Sequence, residues 1–228
     1  MKVNADLYKY KIELHAHTSP VSQCADLPPR EVVRLYAEAG ADGLAITNHF
    51  VPELYGRVKD IIKFYLDDYY EAVEESRRLN VRVYLGAEIR FSESCNDYLV
   101  YGINEQWLKY ASEYFDLGIK RYLKDFKSDR SIIIQAHPFR TGMTQEPGTD
   151  GTEVYNMHPN HKSFNELALE YAKKHNHIVT GGSDFHHRGQ QGLGLTFTKT
   201  LPADSFELAK LIKSRDYLFL LNNKVVCP

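Results

Sequence analysis

Lys11-Ile12-Glu13-Leu14-His15-Ala16-His17 is the stretch on which the reading of this chain turns. It has the pattern of a β-strand that ends in polar residues. Side chains alternate along a strand with period two, so His15 and His17 project from the same side and can share one metal ion. Alone, a His-x-His tripeptide is weak evidence for a site. Its weight comes from the rest of the chain, where the same pattern recurs.

Four further apolar runs finish in the same way. GLAIT at 43–47 leads into Asn48 and His49, and VRVYLGAEI at 81–89 carries Glu88 near its end. SIIIQAH at 131–137 ends in His137, and HIVTGGSD at 177–184 ends in Asp184, with His186 two residues on. DYLVYGI at 97–103, TEVYN at 152–156 and DYLFLL at 216–221 complete the predicted strands. Helices are expected between them. Leu27–Gly40 starts at Pro28 and Pro29, has an apolar stripe of Val32, Val33, Leu35, Tyr36 and Ala39, and stops at Gly40. Others are expected over about 57–79, 113–127, 163–175 and 204–214.

Strand–helix alternation without a Gly-x-Gly-x-x-Gly or P-loop sequence predicts an α/β fold of the parallel β/α-barrel type, a single domain over residues 1–228. In such a barrel the C-terminal strand ends converge on one face. His15, His17, His49, Glu88, His137, Asp184 and His186 would then meet in one cavity. Each has a plain alternative: a histidine can cap a loop, and Glu88 can pair with nearby Arg90. Jointly the alternatives are poor, because polar residues finishing five apolar strands would be a strange way to build a core.

The bulk numbers narrow the function classes. The chain has 228 residues, 43% hydrophobic and 25% charged, enough for one sizeable core. A net charge of −2 without a basic block argues against a partner of long nucleic acid. No apolar run has the length of a signal peptide or a membrane span. Cys24, Cys95 and Cys227 are few and far apart, as expected of reduced thiols in a cytoplasmic protein.

The motifs ELHAHT, LAITNH, GAEI, AHPF, EVYN and GSDFH, spread in this order from residue 13 to residue 186, resemble the polymerase-and-histidinol-phosphatase (PHP) family of metal-dependent phosphoesterases. That resemblance implies a distorted seven-stranded β/α barrel holding two or three divalent ions, variously zinc, manganese, iron or magnesium. It implies that His15, His17, Glu88 and Asp184 hold the first ion, that Glu88 and His137 hold the second, and that His49 and His186 hold the third. The chain departs from the family pattern in three places. Asn48 stands where an Asp is usual before the histidine of the second motif. Ser22 stands where an Asp is usual after His-x-His, and Asp26 or Cys24 could replace it only if the loop shifts. No histidine lies between 49 and 137, so Asp97 is the expected substitute at the second ion, and its carboxylate would favour manganese over zinc.

The resemblance further implies hydrolysis of a phosphate ester by a metal-activated water. His186 or His49, if free of metal, would act as general acid. Arg90 and Arg140, just after Glu88 and His137, are expected to grip the phosphate, or else to pair with carboxylates. Tyr155 and Asn156 are candidates for the pocket wall. The loop 141–162, with His158 and His161, is read as a lid or a plain connection. Phe64–Tyr70 could stack a base, although Tyr at helical spacing is more often core. The substrate is expected to be a small phosphorylated molecule, a nucleotide or a short oligonucleotide. Competing readings are an amidohydrolase-type metal hydrolase and a metal-binding module without catalysis. No Lys ends a predicted strand, which counts against the first.

Overall fold

The structure, a computed structural model, describes residues 4–126, 128–221 and 224–227. The expected α/β class is what the chain adopts. Its strands are β1 (Tyr10–Ala16), β2 (Gly43–Ile46), β3 (His49–Phe50), β4 (Arg82–Leu85), β5 (Ala87–Arg90), β6 (Asp97–Tyr101), β7 (Ile132–Gln135), β8 (Gly151–Asn156), β9 (Ile178–Gly182), β10 (Gly194–Thr198), β11 (Tyr217–Leu221) and β12 (Lys224–Val226). Its α-helices are α1 (Pro29–Glu38), α2 (Ile61–Ser76), α3 (Glu105–Ser112), α4 (Ile119–Phe126), α5 (Asn165–His175) and α6 (Ser205–Ser214).

The strands form two six-stranded sheets, in the orders β12-β11-β10-β1-β2-β4 and β3-β5-β6-β7-β8-β9. A closed seven-stranded barrel is not what the ladders show. The segment expected as one strand over 81–89 explains the difference. It breaks at Gly86, so that β4 pairs with β2 in one sheet and β5 with β3 in the other. Backbone bonds carry the crossing: Gly86 N donates to the Ile46 carbonyl at 2.9 Å and Glu88 N to the Asn48 carbonyl at 3.0 Å. The Tyr65 hydroxyl donates to the carbonyls of Asn48 and Gly86, fixing the break from the helix side. Gly86 suits the crossing because a Cβ there would stand 2.8 Å from Thr47 Cγ2.

On the other side, β1 meets the end of β9 through a single parallel bridge, Ala16 to Phe185. Single bonds rather than continuous ladders thus join the sheets. Nor is the arrangement all parallel. β6 runs antiparallel to β5 and β7, because the short link 91–96 leaves no room for the crossover that a parallel pair needs. The reversal brings the start of β6, at Asp97, to the same rim as the ends of β5 and β7.

The helix expected near 113–127 is shorter, α4 alone, starting just after Gly118 at φ +82°; α3 precedes it and is additional, and Lys127 lies outside the described residues. β3, β10 and β12 are additional to the expected strands. No helix of the described residues is long and apolar enough to cross a membrane.

Alternation along β1 separates core from chemistry. Ile12 and Leu14 join Ala45, Leu99, Ile134 and α6 residues Leu208 and Ile212 in one buried apolar cluster. Glu13, His15 and His17, also buried, take the intervening positions. Behind His15 the packing is tight: a Cβ on Gly182 would lie 2.5 Å from His15 Cβ and 3.0 Å from Glu13 Oε1. Gly182→Ala should therefore destabilise the fold by about 1–3 kcal/mol through overpacking. Urea unfolding checks this, and an unchanged midpoint would contradict the close approach.

Candidate metal centre

The residues expected to converge do so. His15 Nε2 lies 3.3 Å from Glu88 Oε1, 3.3 Å from Asp184 Oδ1 and 3.1 Å from His17 Nε2. His17 Nε2 lies 3.3 Å from Glu88 Oε2 and 3.4 Å from Asp184 Oδ1. His137 Nε2 is 3.1 Å from Glu88 Oε1, and His49 Nδ1 is 2.9 Å from Glu88 Oε2. Three overlapping groups have ligand atoms within 4.8 Å of one another: His15, His17 and Asp184; His15, Glu88 and His137; His17, His49 and His186.

The hydrogen-bond network fixes where the ring protons are. His15 Nδ1 donates to Glu153 Oε1 at 2.8 Å. The single Ser22 hydroxyl proton goes to Asn48 Oδ1, so His17 Nδ1 donates to Ser22 Oγ at 3.0 Å. His186 Nδ1 donates to the Asp184 carbonyl at 2.8 Å, and His137 Nδ1 approaches Met143 Sδ at 3.3 Å. In each ring the outer nitrogen carries the proton, which leaves the Nε2 lone pair free to bind a cation inside. A metal-ligating histidine is oriented in this way.

The electrostatics agree. Burial disfavours a charged His15, but Asp184, Glu153 and Glu88 outweigh it and hold its pKa well above the usual imidazole value. His49 is raised likewise, against its burial, chiefly by Glu88. Burial, with repulsion from His186 and His49, drives His17 well below the usual value, so its ring is neutral. A neutral His17 then turns a lone pair on two carboxylate oxygens at 3.3 and 3.4 Å. Glu88 Oε2 is buried with no hydrogen-bond donor. Acceptors converging in a buried site are unfavourable unless protons, such as those that His15 and His49 hold without metal, or cations stand among them. The donor set fits divalent ions on this ground.

Residues around the ligands hold them in place. Glu153, the first residue of the EVYN motif but not among the expected site residues, accepts from His15 Nδ1 with one oxygen, and from His137 N and Asn156 Nδ2 with the other. Glu13 accepts from the His15 and Ser183 amides and from the Tyr36 hydroxyl, pinning β1 to the Asp184 loop. His137 at φ 29° and Asp184 at φ 49° occupy backbone conformations that L-residues seldom adopt, and these bonds hold them there.

Other expected site residues are differently engaged. Asp97 accepts both Arg90 Nε and Nη2, at 2.7 and 2.8 Å, and belongs to none of the three ligand groups. Arg140 Nη2 donates to Asp184 Oδ2 at 2.6 Å and to Asn156 Oδ1 at 2.7 Å. Both guanidiniums thus pair with carboxylates. Asn156 lines the site, whereas Tyr155 packs against Phe219 at 5.1 Å on the far side. A register shift in β8 between Glu153 and Tyr155 breaks the alternation that would have aimed them alike.

The loop 141–162 is interrupted by β8. Its first part is tied down by Gln135 and Asn96 through Thr144 and Glu146. Its second part brings His158 to 5.3 Å from the His186 ring. Burial lowers the His158 pKa to about 4, so this ring is neutral near pH 7. Tyr65 is core, while Tyr70 is exposed. His187 pairs with Asp26 at the surface. Burial alone would raise the Cys24 thiol, but hydrogen bonds with His186 and His49 bring it down to about 6.

A family model described as PHP domain matches residues 13–168. The chain belongs to the PHP family. No curated protein matches its sequence. Among solved structures, it is similar to a two-domain protein from Bacteroides vulgatus containing a predicted PHP-like metal-dependent phosphoesterase, at 18% identity and TM-score 0.69, over 96% of this chain and 67% of that one. It is also similar to PsfC from Pseudomonas syringae, at 16% identity and TM-score 0.58, over 89% of this chain and 87% of that one. A third is an amidohydrolase from Chromobacterium violaceum with bound sulfate and no metal, at 17% identity and TM-score 0.52, over 79% and 89% of the two chains. At such identities these likenesses concern the fold.

Metal must displace the protons that His15 and His49 hold in its absence, so binding should release protons and tighten as pH rises. Calorimetry in buffers of different ionisation enthalpy reads this, and a buffer-independent heat would contradict it. Glu153→Gln should weaken metal binding about 10–100-fold by loosening His15. Unchanged affinity in a metal-competition titration would remove Glu153 from that role.

Proposed function

We propose that this PHP-family chain is a metal-dependent phosphoesterase that hydrolyses a phosphate ester of a small molecule or nucleotide with a metal-activated water. The observation that carries the reading is Glu88. Its Oε1 faces His15 and His137, and its Oε2 faces His17 and His49, so one buried carboxylate can bridge neighbouring ions. Divalent ions held there supply an activated water and neutralise phosphoryl oxygens.

The chain's own residues keep that arrangement in register. Glu153 aims His15, Arg140 and Asn156 aim Asp184, and Ser22 aims His17. His49 and His186 serve as ligands of the third group rather than as proton donors, since both stand beside His17 with ring centroids at 4.4 and 4.3 Å. Arg140 is a positioning residue for Asp184. Arg90, clamped to Asp97, keeps a third of its side chain exposed beside a cavity of about 230 Å³ that also contains His49, Cys24 and Arg57. A phosphate entering from that side meets two guanidiniums. Asp97 acts on the centre through Arg90 and not as a ligand.

The remaining features of the reading are a single PHP-type catalytic domain with distorted-barrel ancestry, a cytoplasmic location, and zinc, manganese or iron as the resident ions. A short oligonucleotide is the largest substrate it accommodates. An amidohydrolase reading has the fold likeness in its favour, but none of the strands β1, β3, β5, β7 and β9 that lead to the ligands ends in a lysine that could bridge ions.

His15→Ala and Asp184→Ala should each lose bound metal together with hydrolysis of phosphate monoesters. Retention of full metal content and rate in either variant would contradict the assignment. A substrate panel of monoesters, diesters and amides in the presence of zinc or manganese tests the reaction class. Turnover of phosphate esters is expected. Turnover of amides alone would favour the amidohydrolase reading, and inertness of the metal-loaded protein would favour a binding module.

A further inference from the structure

His15 and His17 are held by different means. His15 Nδ1 meets a carboxylate directly, Glu153 at 2.8 Å. His17 Nδ1 meets the neutral hydroxyl of Ser22 at 3.0 Å. The proton of that hydroxyl goes on to Asn48 Oδ1 at 2.8 Å. Asn48 in turn donates from Nδ2 to Asp68 Oδ2 at 2.6 Å. The donors all point one way, from the imidazole through two neutral side chains to a carboxyl group on α2.

Each group on this path has its role fixed by a further bond. Asn48 Oδ1 also accepts from the Thr18 amide at 2.7 Å, which sets the orientation of the side-chain amide. Its second Nδ2 proton goes to Thr18 Oγ1 at 2.7 Å, and that hydroxyl donates to Asp68 Oδ2. Thr18, Ser22 and Asn48 are fully buried, so bulk water does not compete for these bonds.

Asp68 ends the path, and its position is costly. It is 3% exposed and stands in the buried stripe of α2 between Tyr65 and Ala72. Among the described residues its Oδ1 meets no donor. Its Oδ2 is held by Thr18 and Asn48, both members of the path. A leucine there would continue the stripe and avoid the desolvation of a carboxyl group. One turn earlier, Tyr65 donates to the Asn48 main-chain carbonyl at 2.8 Å. Helix α2 thus grips Asn48 by its backbone and by its side chain.

We infer that Asp68 is a positioning residue of the metal centre: through Asn48 and Ser22 it anchors the proton on His17 Nδ1 and so keeps His17 Nε2 bare for an ion. The inference rests on the metal-centre reading of the same site. A carboxylate that accepts the outer proton of a ligand histidine fixes its tautomer and strengthens it as a ligand. Two neutral groups can convey that effect, because hydrogen bonds in a chain polarise one another. The Ser22 hydroxyl also accepts from the His49 amide at 3.0 Å, so the path reaches two members of the third ligand group.

Competition titration with zinc tests this without reference to activity. Asp68→Leu should bind zinc about 10-fold more weakly than wild type. Asp68→Asn, which keeps an acceptor oxygen toward Asn48, should restore the affinity. In a Ser22→Ala background the path is already cut, so Asp68→Leu should cost little more there, and the two losses should not add. Long-range proton–nitrogen NMR spectra of the histidine rings in the zinc-free proteins give a second readout. His17 should carry its proton on Nδ1 in wild type and in Asp68→Asn, and should share it between both nitrogens in Asp68→Leu. Unchanged zinc affinity in Asp68→Leu, an equal loss in Asp68→Asn, or additive losses with Ser22→Ala each overturn the role of Asp68 and leave the metal centre standing. Failure of wild type to bind any divalent ion overturns both. Should Asp68→Leu not fold, Asp68→Ala, which adds no bulk, is read against the same outcomes.

Discussion

A buried carboxylate facing four imidazoles is the constraint around which this molecule is arranged. Glu88 is 1% exposed, and each of its oxygens lies within 3.3 Å of two histidines. An isolated carboxylate in such a position would be strongly disfavoured. His15 and His49 hold it well below the usual carboxylate range in spite of its burial. Much of the fold can be understood as placing Glu88. The break at Gly86 moves the chain from one sheet to the other two residues before it, and the Asn48 carbonyl accepts its amide. The chain crosses between sheets where the centre needs ligands from both.

The surrounding polar shell answers a second requirement, that imidazoles present a particular nitrogen. A histidine ring can offer either nitrogen, and only the partner of the other one decides. Glu153, Ser22 and the Asp184 carbonyl make that decision for His15, His17 and His186. The same bonds offset the unfavourable backbone conformations at His137 and Asp184. The His137 amide is held by Glu153, and the Asp184 loop is held by Glu13 through Ser183. Loss of any one such bond would loosen several ligands together.

The ligands are legible in the sequence because strand-end polarity is a local signal. His15, His17, His49, Glu88, His137, Asp184 and His186 each follow an apolar run, and convergence of strand ends does the rest. The orienting residues are less legible. Glu13 and Glu153 sit among apolar neighbours with nothing in the sequence to say which partner each meets, and the register shift in β8 puts Glu153 rather than Tyr155 at the site. Asp97 is at the expected rim, but its pairing with Arg90 depends on β6 running antiparallel to β5. Sheet division is hidden for a similar reason: the run 81–89 is continuous in hydrophobicity, and only the packing of Thr47 against Gly86 shows where it must break.

The most direct test of the account is anomalous diffraction from crystals grown with zinc or manganese, collected on either side of the metal's absorption edge. The account predicts adjacent anomalous peaks on the two sides of Glu88, each about 2 Å from one of its oxygens, with His15 and His137 at one and His17 at the other. Peaks confined to surface sites, or a Glu88 carboxylate without a metal neighbour, would contradict it.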